Sequence, residues 1–155
     1  MTNIRLATKG DLARIVYIER VCAEQPWTEK QLSEELEHSH ARLIVAEREG
    51  EVVGFCDMHI VADDAHINEL AVIPGHRRLG AARALMDEAL ALSRASGCAV
   101  LSLEVRGHNV PAIALYRSCG FVPSGSRRGF YRNPDDDAVC MLIPLNEEAA
   151  KKNKC

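Results

Sequence analysis

The stretch Leu70–Gly80 reads L-A-V-I-P-G-H-R-R-L-G and is followed at once by A-A-R-A-L-M. Its apolar beginning predicts a strand, and Pro74-Gly75 predicts the turn that ends this strand. The basic residues, small residues and apolar periodicity that follow predict a loop that opens a helix. Backbone N–H groups at a helix start bind phosphate groups, and Arg77 and Arg78 add positive charge. The stretch therefore predicts a pyrophosphate site on a strand–loop–helix unit.

The loop differs from the two common nucleotide loops. It contains neither G-x-x-x-x-G-K-S/T nor G-x-G-x-x-G. It fits the pattern Arg/Gln-x-x-Gly-x-Gly/Ala, which stands here as Arg77-Arg78-Leu79-Gly80-Ala81-Ala82. This pattern resembles the coenzyme A loop of the GNAT acetyltransferases. Taken alone, the loop also fits a basic turn that only caps a helix.

The rest of the chain alternates between strand-like and helical patterns in the order β-α-α-β-β-β-α-β-α-β-β. Thr8 with Asp11 and Thr28 with Gln31 have the spacing of capping boxes, which predicts two early helix starts. Hairpins precede the middle helix and a crossover follows it. This order predicts an α/β fold with a mixed sheet and helices on both faces. The resemblance to the GNAT enzymes implies a GNAT-like, largely antiparallel sheet of about seven strands. The predicted strands cover residues 3–7, 41–47, 52–58, 65–72, 100–105, 121–127 and 138–143.

Composition limits the classes of function. The chain has 155 residues, 47% of them hydrophobic and 26% charged, and a net charge of -3. These values predict one soluble globular domain over residues 1–145 with a polar tail over 146–155. The negative charge argues against nucleic-acid binding, and the absence of a long apolar run or signal peptide predicts a cytoplasmic protein without a membrane partner. Neither the cysteines nor the histidines have metal-ligand spacing, so no metal site is predicted.

Glu104 stands in the predicted strand L-S-L-E-V, where Leu101, Leu103 and Val105 share one face. The carboxylate lies on the other face, and a central strand that is covered by helices is normally apolar on both faces. The carboxylate could form a structural ion pair, for instance with Arg106 or Arg83. It could instead serve as a general base. The strand alone leaves both alternatives open.

The next segment carries the second motif. Asn109 has the position of a helix cap, and Tyr116 could either pack in the core or donate a proton to a leaving thiolate. The pattern N-x-x-A-x-x-L-Y-x-x-x-G-F, which ends at Phe121, resembles what GNAT enzymes carry after their fifth strand. It follows the loop motif in the order of that family, about thirty residues further along the chain.

Three shorter segments resemble the RimI-type ribosomal-protein-alanine N-acetyltransferases within the GNAT superfamily, and the resemblance extends over nearly the whole chain. They are P-W-T-E-K at 26–30, L-E-V-R at 103–106 and R-R-G-F-Y at 127–131. Two positions depart from the family pattern. Ala82 replaces a glycine of many members, and Phe130 replaces the first of two tyrosines.

The resemblance implies acetyl-CoA as acetyl donor, with coenzyme A as product and no metal. It implies that the pantetheine arm pairs with the β-strand before the loop, that the loop binds the pyrophosphate, and that a backbone N–H near Val72 stabilises the oxyanion. Glu104, directly or through water, is the implied base, and Tyr116 is the implied acid. The residues implied to bind the cofactor are Leu70, Ala71, Val72, Arg77, Arg78, Leu79, Gly80, Ala81, Ala82, Arg83 and Asn109.

The acceptor side rests on Trp27, Glu69 and Tyr131. Trp27 also fits a hydrophobic staple before the second helix, and Glu69 also fits an exposed strand residue. The resemblance implies transfer of an acetyl group to the N-terminal α-amine of a protein, possibly a small-subunit ribosomal protein. The alternatives are a GNAT enzyme for a small-molecule amine and a coenzyme A-binding module without turnover.

Overall fold

The computed structural model describes residues 2–77 and 79–146. Its elements follow the predicted order, and only a 3₁₀ turn at Lys9–Asp11 is added before the first helix. Residues 147–155 of the predicted tail lie outside the described residues. The elements are β1 (Asn3–Leu6), α1 (Leu12–Cys22), α2 (Glu29–Glu37), β2 (Ala41–Arg48), β3 (Glu51–Val61), β4 (Asp64–Val72), α3 (Ala81–Ala95), β5 (Val100–Arg106), α4 (Val110–Ser118), β6 (Val122–Tyr131) and β7 (Asp136–Pro144).

The strands form a seven-stranded sheet in the order β1-β2-β3-β4-β5-β7-β6. β4 and β5 are parallel, with Asp64–Ile67 opposite Val100–Leu103. Antiparallel pairing joins β1 to β2, β2 to β3, β5 to β7 and β6 to β7. The predicted mixed, largely antiparallel sheet is confirmed. β4 continues for five residues beyond its register with β5, as the segment Asn68–Val72.

The chain separates into two compact units. Unit 1 comprises Met1–His59 and Asn68–Ala89, and unit 2 comprises Ile60–Ile67 and Leu90–Cys155. The single domain expected over residues 1–145 stays a prediction.

The core of unit 1 lies under α1 and α2. Ile15 and Ile18 of α1 pack with Leu32 of α2 and with Phe55 of β3, and all four are fully buried. Because successive strand residues point to opposite faces, Cys56 lies on the other face of β3, and it is fully buried as well. Both faces of the sheet are therefore covered here, as the sequence predicted.

The second helix begins at the predicted capping box. The Thr28 hydroxyl accepts the Gln31 backbone N–H at 3.1 Å, and the Gln31 side chain accepts the Thr28 N–H at 2.8 Å. Trp27 packs on the cluster that contains Leu32, which fits the predicted hydrophobic staple. At Thr8 the capping box opens the 3₁₀ turn and not α1 itself.

The last hairpin is longer than predicted. β6 extends to Tyr131, four residues beyond the predicted end at 127, and Tyr131 pairs with Asp136, so the turn occupies 132–135. Most of β6 is exposed on the edge of the sheet. An edge strand that buries few side chains has no alternating apolar signal, which explains why its end was not predicted.

None of the helices in the described part of the chain is both long and apolar enough to cross a membrane.

Candidate active site

The predicted strand–loop–helix unit is present in unit 1. β4 ends at Val72, and α3 begins at Ala81 after the loop. Gly80 has a φ of +89°, in the left-handed region that favours glycine, and no atom lies within 4 Å of the place where its Cβ would be. The backbone before α3 is therefore open on this side, which suits the close approach of an anion to a helix N-terminus.

Arginine side chains hold the two ends of this loop. Arg77 donates from Nε to the Val72 carbonyl at 2.9 Å, which also accepts the Cys22 thiol at 3.4 Å. The Arg48 guanidinium donates to the Leu79 carbonyl. Arg77 thus ties the loop to the end of β4, and its contact with pyrophosphate stays a prediction. Arg78 lies outside the described residues.

The predicted pantetheine strand is the end of β4. Ala71 and Val72 are buried and Leu70 is partly buried. All three belong to the segment that extends beyond the register with β5. Because these residues are not in register with β5, the backbone groups on this edge of β4 are suited to pair with an extended ligand.

Glu69, next to this segment, forms a carboxyl pair with Glu19 of α1. Glu19 is fully buried, and its Oε2 accepts the backbone N–H of Trp27 at 3.0 Å. Burial, and after it the neighbouring Glu19 carboxyl, raise the pKa of Glu69 to about 8. Burial also raises the pKa of Glu19. Because two like charges cannot both ionise cheaply in such a site, the pair holds a proton near neutral pH.

This pair predicts a pH-dependent stability. Unfolded Glu69 loses its proton near pH 4.5, and folded Glu69 retains it to about pH 8. The unfolded state therefore binds fewer protons over this range, and the stability of the wild type falls as pH rises from about 4.5 to 8. The Glu69→Gln variant should not lose stability through this group as pH rises. Its free energy of unfolding relative to wild type should rise by roughly 1–3 kcal/mol between pH 5 and 8.5.

Urea unfolding at a series of pH values measures this difference, with the exposed Glu34→Gln on α2 as the control. A Glu69→Gln difference that is flat with pH, like that of the control, would show that the Glu69 carboxyl is ionised in the folded protein.

Glu104 lies on β5 in unit 2. Leu101, Leu103 and Val105 are buried and alternate with partly buried residues, as predicted. The Glu104 side chain is 17% exposed, and its Oε1 lies 3.4 Å from a guanidinium nitrogen of Arg127 on β6. The ion-pair partner is thus Arg127 and not Arg106, which donates to the carbonyls of the last hairpin turn. The carboxylate remains within reach of solvent, as a base must be.

α4 carries the second motif of unit 2. Asn109 caps this helix, since its side-chain oxygen accepts the Ala112 N–H at 3.3 Å. Tyr116 is buried and packs on Phe121, with ring centroids 6.0 Å apart. Packing is therefore part of the role of Tyr116, and proton donation stays a prediction.

The expected acceptor residues lie in different units. Trp27 of unit 1 is partly buried, its backbone N–H donates to the Glu19 carboxyl, and its side chain packs on the cluster that contains Leu32. Tyr131 of unit 2 ends β6, and the Arg106 guanidinium lies 4.4 Å from the centre of its ring. Each side chain has a fixed neighbour, and its contact with an acceptor stays a prediction.

Three contacts of the candidate residues were not predicted: Glu19 with Glu69, Arg48 with the Leu79 carbonyl, and Arg127 with Glu104. Only Glu19 had a usable signal: it follows Ile15 by four residues and thus lies on the apolar face of α1, where a charged residue is rare. Arg48 reaches the Leu79 carbonyl within unit 1 and Arg127 reaches Glu104 within unit 2, through strand pairing and turns that a single sequence does not reveal.

Known proteins give an independent comparison. Residues 12–121 match the acetyltransferase (GNAT) family. A Bacillus subtilis (strain 168) protein, provisionally named a ribosomal protein bS18-alanine N-acetyltransferase, is 35% identical over 146 residues, which cover 94% of this chain and 95% of the relative. The Escherichia coli (strain K12) protein named for the same activity is 32% identical over 94% of this chain and 99% of its own length.

Solved structures agree. The crystal structure of the ribosomal-protein-alanine enzyme from Escherichia coli superposes with a TM-score of 0.87 at 31% identity, over 94% of this chain and 95% of that one. The loop motif and the motif on α4 both lie within residues 12–121, which match the family. The chain belongs to the GNAT acetyltransferase family.

Proposed function

We propose that this protein transfers the acetyl group of acetyl-CoA to the N-terminal α-amine of a protein, with a ribosomal protein that begins with alanine as the acceptor. The observation that carries this proposal is the carboxyl pair of Glu19 and Glu69. Glu69 directly precedes Leu70–Val72, the segment suited to the pantetheine arm, and Glu19 accepts the backbone N–H of Trp27. The names of the bacterial relatives support the choice of acceptor.

Acetyl-CoA supplies an acetyl group that is activated as a thioester. The residues of this chain fit that group, because the backbone at Gly80 is open and Leu70–Val72 extend beyond the β5 register. Leu70, Ala71 and Val72 hold the pantetheine arm through their backbone. The loop from Arg77 to Arg83 holds the pyrophosphate at the N-terminus of α3. Asn109 contacts the cofactor near the thioester.

Two residues of unit 2 carry out the acid–base chemistry. An ammonium group must lose a proton before its nitrogen can attack, and Glu104 accepts this proton directly or through water. The nitrogen then bonds to the acetyl carbon, the carbon–sulfur bond breaks, and the nitrogen releases its second proton to solvent. Tyr116 donates its phenolic proton to the leaving thiolate and regains a proton from solvent. A backbone N–H near Val72 stabilises the negative charge that develops on the acetyl oxygen.

The acceptor amine is held on the acidic side of unit 1. The proton that Glu19 and Glu69 share leaves the pair negative, which attracts an ammonium group. Trp27 and Tyr131 contact the first residues of the peptide. An acceptor on a ribosomal protein places the reaction in the cytoplasm.

This proposal predicts a strong preference for an α-amine over a lysine ε-amine. The α-amine has a reference pKa near 8 and lysine about 10.4, so the neutral fraction at pH 7 is roughly 10²-fold larger for the α-amine. Two peptides of otherwise equal sequence are compared, one with a free N-terminal alanine and one with a blocked N-terminus and a lysine. We expect the free peptide to react at least about 100-fold faster.

Mass spectrometry with fragmentation locates the acetyl group on the α-nitrogen. Efficient acetylation of the blocked peptide, or turnover of polyamines alone, rules out the N-terminal acceptor and leaves the acetyltransferase chemistry intact. Binding of acetyl-CoA without turnover of any amine in the panel rules out the enzyme.

A further inference from the structure

Three side chains that no motif singles out meet in unit 1, away from the loop. Glu35 belongs to α2, and Asp57 and His59 lie two residues apart on β3 and thus on one face of it. His59 Nε2 lies 2.7 Å from Glu35 Oε1. One donor atom from each of the three residues lies within 4.8 Å of the other two. We call this set the α2–β3 cluster.

Asp57 makes this cluster unusual. It is fully buried, and neither of its carboxylate oxygens has a hydrogen-bond partner of normal geometry among the described residues. Its polar neighbours are the side chains of Glu35 and Asn68. A buried carboxylate without a partner is costly, so a positive ion or a bound proton must compensate it.

We propose that Glu35, Asp57 and His59 bind one divalent transition-metal ion of the zinc class. One imidazole nitrogen and two carboxylate oxygens are an accepted donor set for Zn²⁺. A tetrahedral ion with bonds of about 2.0–2.2 Å holds its ligand atoms roughly 3.3–3.6 Å apart. The His59 and Glu35 donor atoms are 2.7 Å apart and all the donor atoms lie within 4.8 Å of one another, so small rotamer changes complete the geometry.

The surroundings of the cluster suit this assignment. His59 is 31% exposed on its side chain and gives the ion an entry path, and water can complete the coordination. The ring of His38 stacks on His59, with centroids 5.3 Å apart and planes 13° from parallel, and so holds the imidazole in place. The bound ion links α2 to β3. No metal was predicted from spacing, because Glu35 and His59 are 24 residues apart and meet only when α2 packs on the sheet.

The competing explanation is a hydrogen-bonded network in which protons alone neutralise the carboxylates. The two explanations differ in what Zn²⁺ does to the wild-type protein. If the α2–β3 cluster binds the ion, untagged protein treated with a chelator should take up Zn²⁺ with a stoichiometry of one and release protons on binding. The melting temperature should rise by about 5–10 °C once free Zn²⁺ exceeds its dissociation constant 100-fold.

Substitutions of the ligands test whether these residues bind the ion. Asp57→Asn and His59→Gln should each weaken Zn²⁺ binding at least about tenfold in competition with a chromophoric chelator. The matched controls Glu34→Gln and His40→Gln change an exposed glutamate of α2 and an exposed histidine nearby, and they should bind as the wild type does. Because thiols are the other ligand class for Zn²⁺, Co²⁺ serves as a second probe, and its spectrum should lack thiolate charge-transfer bands.

Two results would overturn the proposal. One is the absence of stoichiometric Zn²⁺ uptake by the wild type, which needs no variant to fold. The other is unchanged uptake in His59→Gln, which removes the exposed ligand and leaves the buried Asp57 in place. Either result would mean that protons alone neutralise the carboxylates of the α2–β3 cluster. A role of the ion in acetyl transfer is not part of this proposal, so its failure leaves the proposed function untouched.

Discussion

Glu104→Gln and Tyr116→Phe should each lower turnover by roughly 10²–10⁴-fold, while the fold and the affinity for acetyl-CoA largely survive. Glutamine keeps the size of Glu104 but cannot accept a proton. Phenylalanine keeps the ring of Tyr116 against Phe121 but cannot donate one. Steady-state kinetics with a peptide acceptor, together with calorimetry for acetyl-CoA, measure both effects.

The variant Arg127→Gln tests whether Glu104 acts as a base or only forms a structural ion pair. It removes the partner at 3.4 Å and leaves the carboxylate in place. If Glu104 is the base, turnover largely survives in Arg127→Gln, because the carboxylate that accepts the proton is still in place. In Glu104→Gln turnover should fall by the roughly 10²–10⁴-fold given above. Equal losses of turnover in the two variants would mean that Glu104 serves only as the ion-pair partner of Arg127.

Tyr17→Phe is the control for the tyrosine, since Tyr17 is 51% exposed on α1. It should have wild-type kinetics. Wild-type turnover in Tyr116→Phe would mean that Tyr116 only packs in the core.

Gly80→Glu should remove measurable affinity for acetyl-CoA. The substitution places a side chain and a negative charge at the N-terminus of α3, where the pyrophosphate is expected to bind. Calorimetry on the folded variant should show a loss of at least about 100-fold, which corresponds to about 2.8 kcal/mol.

Gly50→Glu is the matched control. Gly50 lies in the turn after β2, has a φ of +78° and has open space around it, as Gly80 does. The two variants therefore share the backbone strain and the added charge and differ in location. Gly50→Glu should bind acetyl-CoA as the wild type does. Equal affinity in both variants would place the pyrophosphate elsewhere.

Local patterns of the sequence predicted most of the fold. The capping box at Thr28, the alternation over Leu101–Val105 and the small residues after β4 each depend on contacts within a few residues. Such contacts follow from spacing alone, so the element order and the β4–loop–α3 unit could be found without a structure. The end of β6 could not, because an exposed edge strand carries no apolar period.

The sequence by itself determined the family motifs and the residues with candidate chemistry, among them Glu104, Tyr116 and Glu69. The tertiary structure decided which partners these residues have. Glu69 faces Glu19 across 50 residues of chain. Glu104 pairs with Arg127 and not with Arg106. The α2–β3 cluster likewise joins a helix and a strand. The physical reason is that ionisation and ion binding depend on burial and on neighbours distant in sequence, which packing brings together and local spacing does not encode.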